Sequence, residues 1–357
     1  MSQIVKVAVI GYGRIGKAII KFYEQHGISK SSRSADPTYI ATAYDTNPDA
    51  GANFIIESDD DLKNAVINND IVICSTPFHI NREVAKHCFN YSKPYFDLTE
   101  DNQQADWVRE GGSRSGCYVM PQCGLAPGAV SIIAADLIKQ FTSVDSIQIR
   151  VGALPLHANN DMKYYLSWSP DGLINEYNHP CVAIKDGNRV ELQPLEGYET
   201  IIIDGVEYEA FNTSGGLGSL ADTLAGQVDN VNYKTIRYKG HRDRIKFLFD
   251  DLNLRNHQQT LVDIFKHNVP YVDNDTVIIF IQLTGMINNK RQVKQYTHKV
   301  NGTRWMSAIE STTASGVCTA VDWFVNIPSA KTHIVLRNEQ INMEHLNNNY
   351  FWTPIYK

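Results

Sequence analysis

Short apolar runs alternate with segments of helical periodicity along the first third of the chain. The runs occupy residues 4–10, 39–44, 53–56, 71–74, 95–98 and 117–120. Between them, apolar residues recur every three or four positions over 14–26, 62–67, 81–89 and 105–113. Short apolar runs are typical of buried parallel strands. Their alternation with helices predicts an α/β fold with a doubly wound parallel sheet.

The pattern changes after Pro127-Gly128. A helix is predicted over 129–141, and strand-like alternation dominates beyond it, over 144–151, 181–184, 189–192, 201–209, 277–285 and 291–300. Asp186-Gly187 and Asp204-Gly205 are dipeptides that favour tight hairpin turns. This part of the chain therefore predicts an α+β domain with a mainly antiparallel sheet.

Residues 311–324 are apolar and rich in small side chains, which predicts a late helix. The tail contains Phe351-Trp352, which we expect to pack against the rest of the protein. A length of 357 residues suits about two domains. We divide the chain into an α/β domain over 1–125, an α+β domain over 126–310 and a terminal segment over 311–357.

Composition and charge narrow the class of protein. Apolar residues make up 43% and charged residues 20%, which is ordinary globular usage, and the net charge of -6 argues against a nucleic-acid partner. The most apolar run, 277–283, is too short for a membrane span, and no signal peptide opens the chain, so we expect a cytoplasmic protein without a membrane partner. The 6 cysteines form no CxxC pair, which predicts buried, reduced thiols and no metal site.

A glycine-rich string follows the first predicted strand and opens the first helix. It reads Gly11-Tyr12-Gly13-Arg14-Ile15-Gly16, the fingerprint of a dinucleotide-binding turn. In that turn Gly11 permits the tight bend, Gly13 lets the backbone approach a pyrophosphate and Gly16 lets the helix pack on the strand. The pyrophosphate would lie at the helix N-terminus. The alternative is an ordinary strand–helix turn with chance glycines.

Asp45 ends the second predicted strand, where a carboxylate can accept both ribose hydroxyls and repel a 2′-phosphate. It follows the glycines later than is usual, and the polar segment 29–37 explains the excess. Thr46, Asn47 and Pro48 provide no basic side chain for a 2′-phosphate, so NAD is favoured over NADP as the cofactor. Alternatively, Asp45 only starts a turn with Asn47-Pro48.

Further candidate residues follow the later strands of the predicted sheet. Ser75, Thr76 and Pro77 come after the fourth strand, and Leu98 ends the fifth. Ligands of such sheets bind beyond the carboxyl ends of the strands. We therefore expect these residues to contact the cofactor.

Four strings in the second half are more specific than the glycine fingerprint. They are the sequences CGLAPG at 123–128, WSPDGLI at 168–174, TSGG at 213–216 and KTIRYKGH at 234–241. In this order they resemble the saccharopine dehydrogenase-like family, most closely its lysine 6-dehydrogenases and more distantly its saccharopine reductases. The resemblance implies a Rossmann domain, an inserted catalytic domain and a terminal segment, 311–357, that returns to the Rossmann domain. It also implies NAD(P)-linked chemistry at the C–N bond of an amino acid.

The resemblance assigns candidate catalytic residues. Asp97 matches an aspartate of the family and is the leading acid–base or amine-binding group, with a turn or helix cap as the alternative. His79 is able to exchange protons near neutral pH, or it is a solvated or capping histidine. Cys123 is expected to line the pocket, since hydride transfer needs no covalent intermediate.

A substrate site is expected around Arg237 of the fourth string, because arginine binds carboxylates bidentately. The alternative is a surface arginine. His241 flanks it, and Thr213 and Ser214 are expected to donate hydrogen bonds unless their string is only a tight turn. Tyr164 belongs to an aromatic cluster that either walls a pocket or fills the core.

The resemblance to lysine 6-dehydrogenases implies oxidative deamination of the lysine side-chain amine to an aldehyde, with NAD as the cofactor that Asp45 favours. A saccharopine- or carboxyspermidine-type enzyme acting on a secondary amine is the first alternative, and a non-catalytic NAD-binding sensor is the second. Residues 98–100 and 122–123 depart from the family pattern near the expected reaction centre, which leaves the amine open. The resemblance and the exposed apolar strand pattern predict a homodimer or homotetramer.

Overall fold

The computed structural model describes residues 3–29, 37–77 and 79–357. The predicted polar loop over 29–37 lies mostly outside these residues. The chain forms two compact units. The first contains Met1–Ile132 with Glu310–Lys357, and the second contains Ile133–Ile309.

A fully parallel six-stranded sheet forms the centre of the first unit. Its order is β3-β2-β1-β4-β5-β6, so the chain runs outward in one direction, returns to the centre and continues in the other. The strands are β1 (Ile4–Ile10), β2 (Thr38–Asp45), β3 (Phe54–Ile55), β4 (Ile71–Cys74), β5 (Tyr95–Asp97) and β6 (Val119–Met120). The predicted doubly wound sheet is confirmed.

Helices connect these strands. They are α1 (Arg14–Ser29), α2 (Asp59–Ile67), α3 (Asn81–Tyr91), α4 (Asn102–Ser115) and α5 (Ala129–Ile138). Helix α1 extends beyond the predicted periodicity over 14–26, because Gly27 does not adopt the left-handed conformation that stops a helix. Ser58 and Asp61 form a capping box at the start of α2.

The last part of the chain belongs to the first unit. Helix α10 (Ala308–Asn326) leads into it, and Val335 pairs in parallel with Val119 at the edge of the sheet. Two short helices follow, α11 (Met343–Leu346) and α12 (Thr353–Tyr356). Phe351 is fully buried against the rings of Tyr23 and His26 in α1, which explains why the tail carries large aromatic residues.

A mixed eight-stranded sheet organises the second unit. Its main path is β10-β11-β12-β7-β13-β14, with β8 and β9 beside β12, and only the β12–β7 pair is parallel. The strands are β7 (Ser143–Pro155), β8 (Cys181–Lys185), β9 (Asn188–Leu192), β10 (Glu199–Ile203), β11 (Val206–Phe211), β12 (Asn230–Tyr238), β13 (Asp275–Ile287) and β14 (Lys290–Asn301). The predicted mainly antiparallel sheet is confirmed.

Four helices accompany this sheet: α6 (Pro170–Asn178), α7 (Leu220–Leu224), α8 (His241–Lys246) and α9 (Gln258–Asn268). The predicted hairpin turn at Asp204-Gly205 is confirmed and divides the segment 201–209 between β10 and β11, because Asp204 and Gly205 both have positive φ and reverse the chain. Such paired positive φ angles match the twist of the flanking strands.

Two observations concern membranes and metals. Within the described ranges, no helix combines the length and apolar character needed to cross a bilayer. The same ranges hold no cluster of three or more histidine, cysteine or acidic side chains with metal-binding geometry. All 6 cysteines are buried and free of disulfides.

Candidate active site

The turn between β1 and α1 has the steric properties of a dinucleotide-binding turn. Gly11 has φ +95, and a Cβ there would lie 2.8 Å from the backbone of Ser75. A Cβ on Gly16 would lie 2.0 Å from the carbonyl oxygen of Gly11. A Cβ on Gly13 would meet nothing within 4 Å. Gly11 and Gly16 are therefore required by the fold itself, whereas the space at Gly13 fits the approach of a phosphate to the backbone.

Asp45 lies beside this turn at the end of β2. Its carboxylate accepts hydrogen bonds from the backbone N–H of Tyr12 at 2.5 Å and of Asn47 at 2.7 Å. The carboxylate is thus held near the glycine turn and also supports the turn that follows it. Thr46 beside it is exposed, and Ile15 is half-buried in α1. Arg14 forms an ion pair with Glu310 at 2.9 Å.

The residues after β4 contact the same turn. Ser75 Oγ donates to the carbonyl oxygen of Gly11 at 2.6 Å. Thr76 Oγ1 donates to Asn81 Oδ1 at 3.0 Å, and Pro77 is exposed. His79 is exposed just before α3. Leu98 is half-buried beyond the end of β5. Ser75 is thus the member of this group that contacts the glycine turn directly.

Asp97 is fully buried and accepts hydrogen bonds on both carboxylate oxygens. Oδ1 accepts from the backbone N–H of Thr99 at 3.1 Å and of Gln122 at 2.9 Å. Oδ2 accepts from Tyr95 Oη at 2.9 Å and from Asn81 Nδ2 at 3.4 Å. Burial raises the pKa of Asp97, although the hydrogen bonds oppose this effect. With four protein donors, the side chain has the geometry expected of a group that holds turns together.

Cys123 is fully buried in the loop that follows β6, and its Sγ donates to the carbonyl oxygen of Met120 at 2.8 Å. Burial, with a smaller effect of Asp97, raises the pKa of the thiol well above its usual value. The residue is therefore a neutral thiol rather than a thiolate. Thiols in this state are poor nucleophiles.

In the second unit Arg237 is buried, with an exposed fraction of 2%. Its Nε donates to Tyr177 Oη at 2.9 Å, and its Nη1 donates to Thr235 Oγ1 at 2.6 Å. The guanidinium lies 5.3 Å from the ring centre of Tyr164 and 5.8 Å from that of Tyr177. Burial alone would lower the pKa of Arg237, but both tyrosines and Glu176 raise it, so the side chain stays charged. Burial excludes the surface-arginine interpretation.

His241 fixes the proton positions around Arg237. Its Nδ1 lies 2.8 Å from the carbonyl oxygen of Met162, which can only accept, so Nδ1 carries the proton. Nε2 then accepts from Tyr177 Oη at 3.0 Å, and that oxygen accepts from Arg237 Nε. Burial, and secondarily the charge of Arg237, lowers the pKa of His241 to about 3. The imidazole is neutral and orients Arg237 through Tyr177.

Glu176 is a buried carboxylate that the sequence analysis did not single out. It lies in α6, is 7% exposed and acts electrostatically on Arg237. Burial raises the pKa of Glu176 to about 7 against the lowering effect of Arg237. Its backbone oxygen accepts from Ser214 N at 3.0 Å, which places the TSGG turn beside α6. Its position two residues after the family string at 168–174 was the available sequence signal.

Several polar atoms near these charges are buried without a hydrogen-bond partner. Thr213 Oγ1 and Tyr164 Oη are both of this kind. Gly215 has φ +87, so the TSGG string does form a tight turn. Tyr164 also belongs to the apolar core of this unit, while its ring faces Arg237. Buried polar atoms usually have a partner, so such atoms point to a bound ligand or water.

Solved structures share this fold. The chain matches apo histidine-tagged saccharopine dehydrogenase (L-Glu forming) from Saccharomyces cerevisiae with a TM-score of 0.71 and 14% identity, over 95% of both chains. It matches an engineered D-amino acid dehydrogenase bound to NADP+ with a TM-score of 0.52 and 14% identity, over 97% of this chain and 96% of that chain.

Curated relatives are similar at the level of sequence. Mitochondrial alpha-aminoadipic semialdehyde synthase of Rattus norvegicus is 22% identical over 265 residues, which cover 68% of this chain and 27% of that protein. Saccharopine dehydrogenase (NADP(+), L-glutamate-forming) of Schizosaccharomyces pombe is 22% identical over 224 residues, 60% of this chain and 48% of that protein. The chain thus spans about a quarter to a half of these relatives.

The sequence profile described as saccharopine dehydrogenase C-terminal domain matches residues 124–348. This match covers more than half of the chain and includes the second unit with its buried arginine. The predicted family resemblance is therefore confirmed, and the chain belongs to the saccharopine dehydrogenase family.

Proposed function

We propose that this protein is an NAD-dependent oxidoreductase that acts on the C–N bond of an amino acid, and that its reaction is oxidative deamination of the lysine side-chain amine. The observation that carries the proposal is the buried, oriented guanidinium of Arg237 in a member of this family. A buried cation that is held by neutral partners suits the carboxylate of an amino acid.

The glycine turn supports the choice of cofactor. A nicotinamide dinucleotide would lie against Gly13 and the N-terminus of α1, with its ribose hydroxyls on Asp45, and would accept the hydride. Asp45 brings a negative charge to the ribose side of the site, and Arg14 already has Glu310 as an anionic partner. These charges favour NAD over NADP, whose 2′-phosphate would be repelled.

The proposed reaction balances as follows. A protonated side-chain amine loses a proton and then a hydride from its carbon, which leaves an imine. Water hydrolyses the imine to an aldehyde and ammonium, so one amine, one NAD and one water give one aldehyde, one ammonium, one NADH and one proton. The hydride step requires an unprotonated amine, so the protein must accept a proton or lower the amine pKa by desolvation.

The predicted catalytic residues differ in their fitness as proton acceptors. Cys123 is a neutral thiol, and both ring nitrogens of His241 are engaged. Asp97 has four protein donors, so we propose that it holds the loops after β5 and β6 rather than taking the substrate proton. His79 is the exposed titratable candidate near α3.

A secondary-amine dehydrogenase is the competing function, since the curated relatives include a saccharopine dehydrogenase. Saccharopine carries a second amino-acid carboxylate group that needs its own anchor. Arg150 and Arg304 are the arginines that we consider for this role. Arg150 is buried with Glu199, and Arg304 lies 4.4 Å over the exposed ring of Trp305. Neither arrangement favours this alternative.

Turnover assays separate the functions. The pure protein is incubated with NAD and, in separate reactions, with lysine, saccharopine, other amino acids and polyamines, while NADH absorbance and released ammonia are measured. The proposal predicts NADH and ammonia in equal amounts with lysine. Oxidation of saccharopine alone, without free ammonia, would establish the competing function. NADH binding without any turnover would favour a sensor.

A further inference from the structure

We propose that Glu176 and Arg237 together bind the α-amino acid head group of the substrate, with Arg237 on the carboxylate and Glu176 on the α-ammonium. The inference rests on the proposed function, because it names the recognition site for the part of the substrate that is not oxidised. It adds a specificity-determining residue, Glu176, on a helix that the periodicity did not predict.

The burial of these two opposite charges favours a ligand between them. Glu176 and Arg237 are both more than nine-tenths buried and are close enough to influence each other electrostatically. Across the part of the chain that the structure describes, however, they form no direct ion pair and Glu176 has no side-chain hydrogen bond. Buried charges that do not pair are costly. A zwitterion placed between them would supply the missing partner of each.

Polar groups surround the guanidinium of Arg237. Tyr177 and Thr235 bind Nε and Nη1 of Arg237, and Nη2 has no hydrogen-bond partner among the described residues. Thr213 Oγ1 is buried without a hydrogen-bond partner in the same unit, beside Ser214, whose N–H donates to the carbonyl oxygen of Glu176. This hydroxyl group and Nη2 are donors of the kind that a carboxylate accepts.

The neighbours of Glu176 hold fixed protonation states. Burial raises the pKa values of Tyr164, Tyr177 and Cys181, so these groups remain neutral. His241 is neutral because its pKa lies at about 3, and Arg237 remains charged. Glu176, with a pKa of about 7, is therefore the group of this cluster that titrates near neutrality. An ammonium ligand would favour its ionised form, so binding should strengthen as the pH rises through this range.

The test uses probes that carry no oxidisable side-chain amine. L-norleucine has the whole head group, hexanoate lacks the ammonium and pentylamine lacks the carboxylate. Calorimetric titration measures their binding to the wild type, Glu176→Gln and the control Glu207→Gln, whose original carboxylate pairs with Lys239 on the surface. Circular dichroism verifies that each variant is folded. The same titrations are repeated below and above neutral pH.

We expect the wild type to bind norleucine more tightly than either partial probe, and more tightly at the higher pH. Glu176→Gln should weaken norleucine binding roughly 10- to 100-fold, as for loss of a charged hydrogen bond, and should remove the pH dependence. Its binding of hexanoate should not change, and Glu207→Gln should behave as the wild type. The inference is overturned if the wild type does not prefer norleucine, or if Glu176→Gln retains its affinity or loses hexanoate binding equally.

These results are independent of catalysis. If the head-group preference depends on Glu176 but no amine reduces NAD, the proposed function fails and the binding pair stands. If lysine reduces NAD but Glu176→Gln binds norleucine normally, the proposed function stands and the binding pair fails.

Discussion

At the scale of single residues, the chemistry of the second unit depends on which charges are buried and how they are held. Arg237 is oriented by a chain of hydrogen bonds that runs from the carbonyl of Met162 through His241 and Tyr177. Each partner in this chain is neutral. The positive charge of Arg237 can therefore be balanced only by a ligand or by Glu176. We expect substitution of either residue to affect ligand binding.

Arg237→Lys tests the role of the guanidinium fork. Lysine keeps the charge but cannot donate to Tyr177 and to a ligand carboxylate in one plane. We expect the KM for the amino acid to rise roughly 10- to 100-fold, consistent with loss of a charged hydrogen bond, while the NADH Kd stays unchanged. Steady-state kinetics and NADH titration measure the two constants. Arg291→Lys on the exposed part of β14 is the control, and an unchanged KM for Arg237→Lys would remove Arg237 from the site.

Glu176→Gln should stabilise the second unit at alkaline pH. The folded-state pKa of about 7 lies above the ordinary value of 4.5, so Glu176 favours folding when protonated and opposes it once the pH exceeds 7. Removing the ionisation should add up to about 3 kcal/mol of stability above that range and little under acidic conditions. Thermal unfolding under both conditions gives the comparison. A lower midpoint for the variant at alkaline pH would show that the ionised carboxylate stabilises the apo protein.

Sequence reasoning reached some of these residues and not others, for physical reasons. Arg237 and the glycines lie in short sequence motifs, and these motifs can be identified from residue spacing alone. The proposed role of Glu176 depends on its burial and on Arg237, which is 61 positions away in the sequence. A local sequence pattern shows neither feature. Asp97 was singled out because it matches an aspartate of the family, but two of its four donors, Asn81 and Gln122, lie 16 and 25 positions away in the chain.

At the scale of elements, the glycines of the β1–α1 turn differ in their surroundings and therefore in their expected roles. Gly11 and Gly16 face backbone atoms, whereas Gly13 faces open space. The fold thus excludes a methyl group at Gly11 and Gly16, whereas a methyl group at Gly13 would contact no protein atom within 4 Å.

Gly13→Ala should therefore affect cofactor binding, whereas Gly16→Ala should affect stability. We expect Gly13→Ala to keep the wild-type melting temperature but to weaken NADH binding by about tenfold or more, since the methyl group occupies the phosphate approach. Gly16→Ala should lower the melting temperature, because its Cβ would lie 2.0 Å from Gly11 O. Calorimetry and NADH fluorescence distinguish the two effects. Normal NADH affinity in Gly13→Ala would contradict the assignment of this turn.

Hydrophobic periodicity predicted the elements that either have one exposed face or consist of a short apolar run. Most strands of the first sheet and the hairpins at Asp186 and Asp204 are of this kind. Helix α6 was missed because two of its seven buried residues, Asn175 and Glu176, are polar and interrupt the apolar pattern. Strand β12 lies between β11 and β7, and its buried polar residues Thr235 and Arg237 interrupt the alternation in the same way.

At the scale of the whole molecule, the first unit is completed by residues far apart in the chain. The terminal segment adds Val335 beside β6 and places Phe351 against α1 and β2. The elements that carry the glycine turn and Asp45 are thereby packed by the end of the chain. The predicted homodimer or homotetramer remains a prediction, which light scattering of the pure protein would check.

Phe351→Ala should destabilise the first unit. The side chain is fully buried among Phe22, Tyr23, His26 and Tyr39, and removing a buried phenylalanine costs about 3–5 kcal/mol. We expect a lower midpoint in thermal or urea unfolding. Phe247→Ala, at a position with 51% exposure in the second unit, is the matched control and should change little. Equal effects of the two substitutions would contradict the packing role of the tail.

The most direct test of the central claim follows the transferred hydride. The protein is incubated with NAD and lysine carrying two deuterium atoms on C6, and the NADH formed is analysed by mass spectrometry. Oxidative deamination at the side-chain amine predicts NADH that is heavier by one mass unit, together with one ammonia for each NADH. NADH without deuterium would place the reaction at another carbon, and failure of lysine to produce NADH would contradict the proposed function.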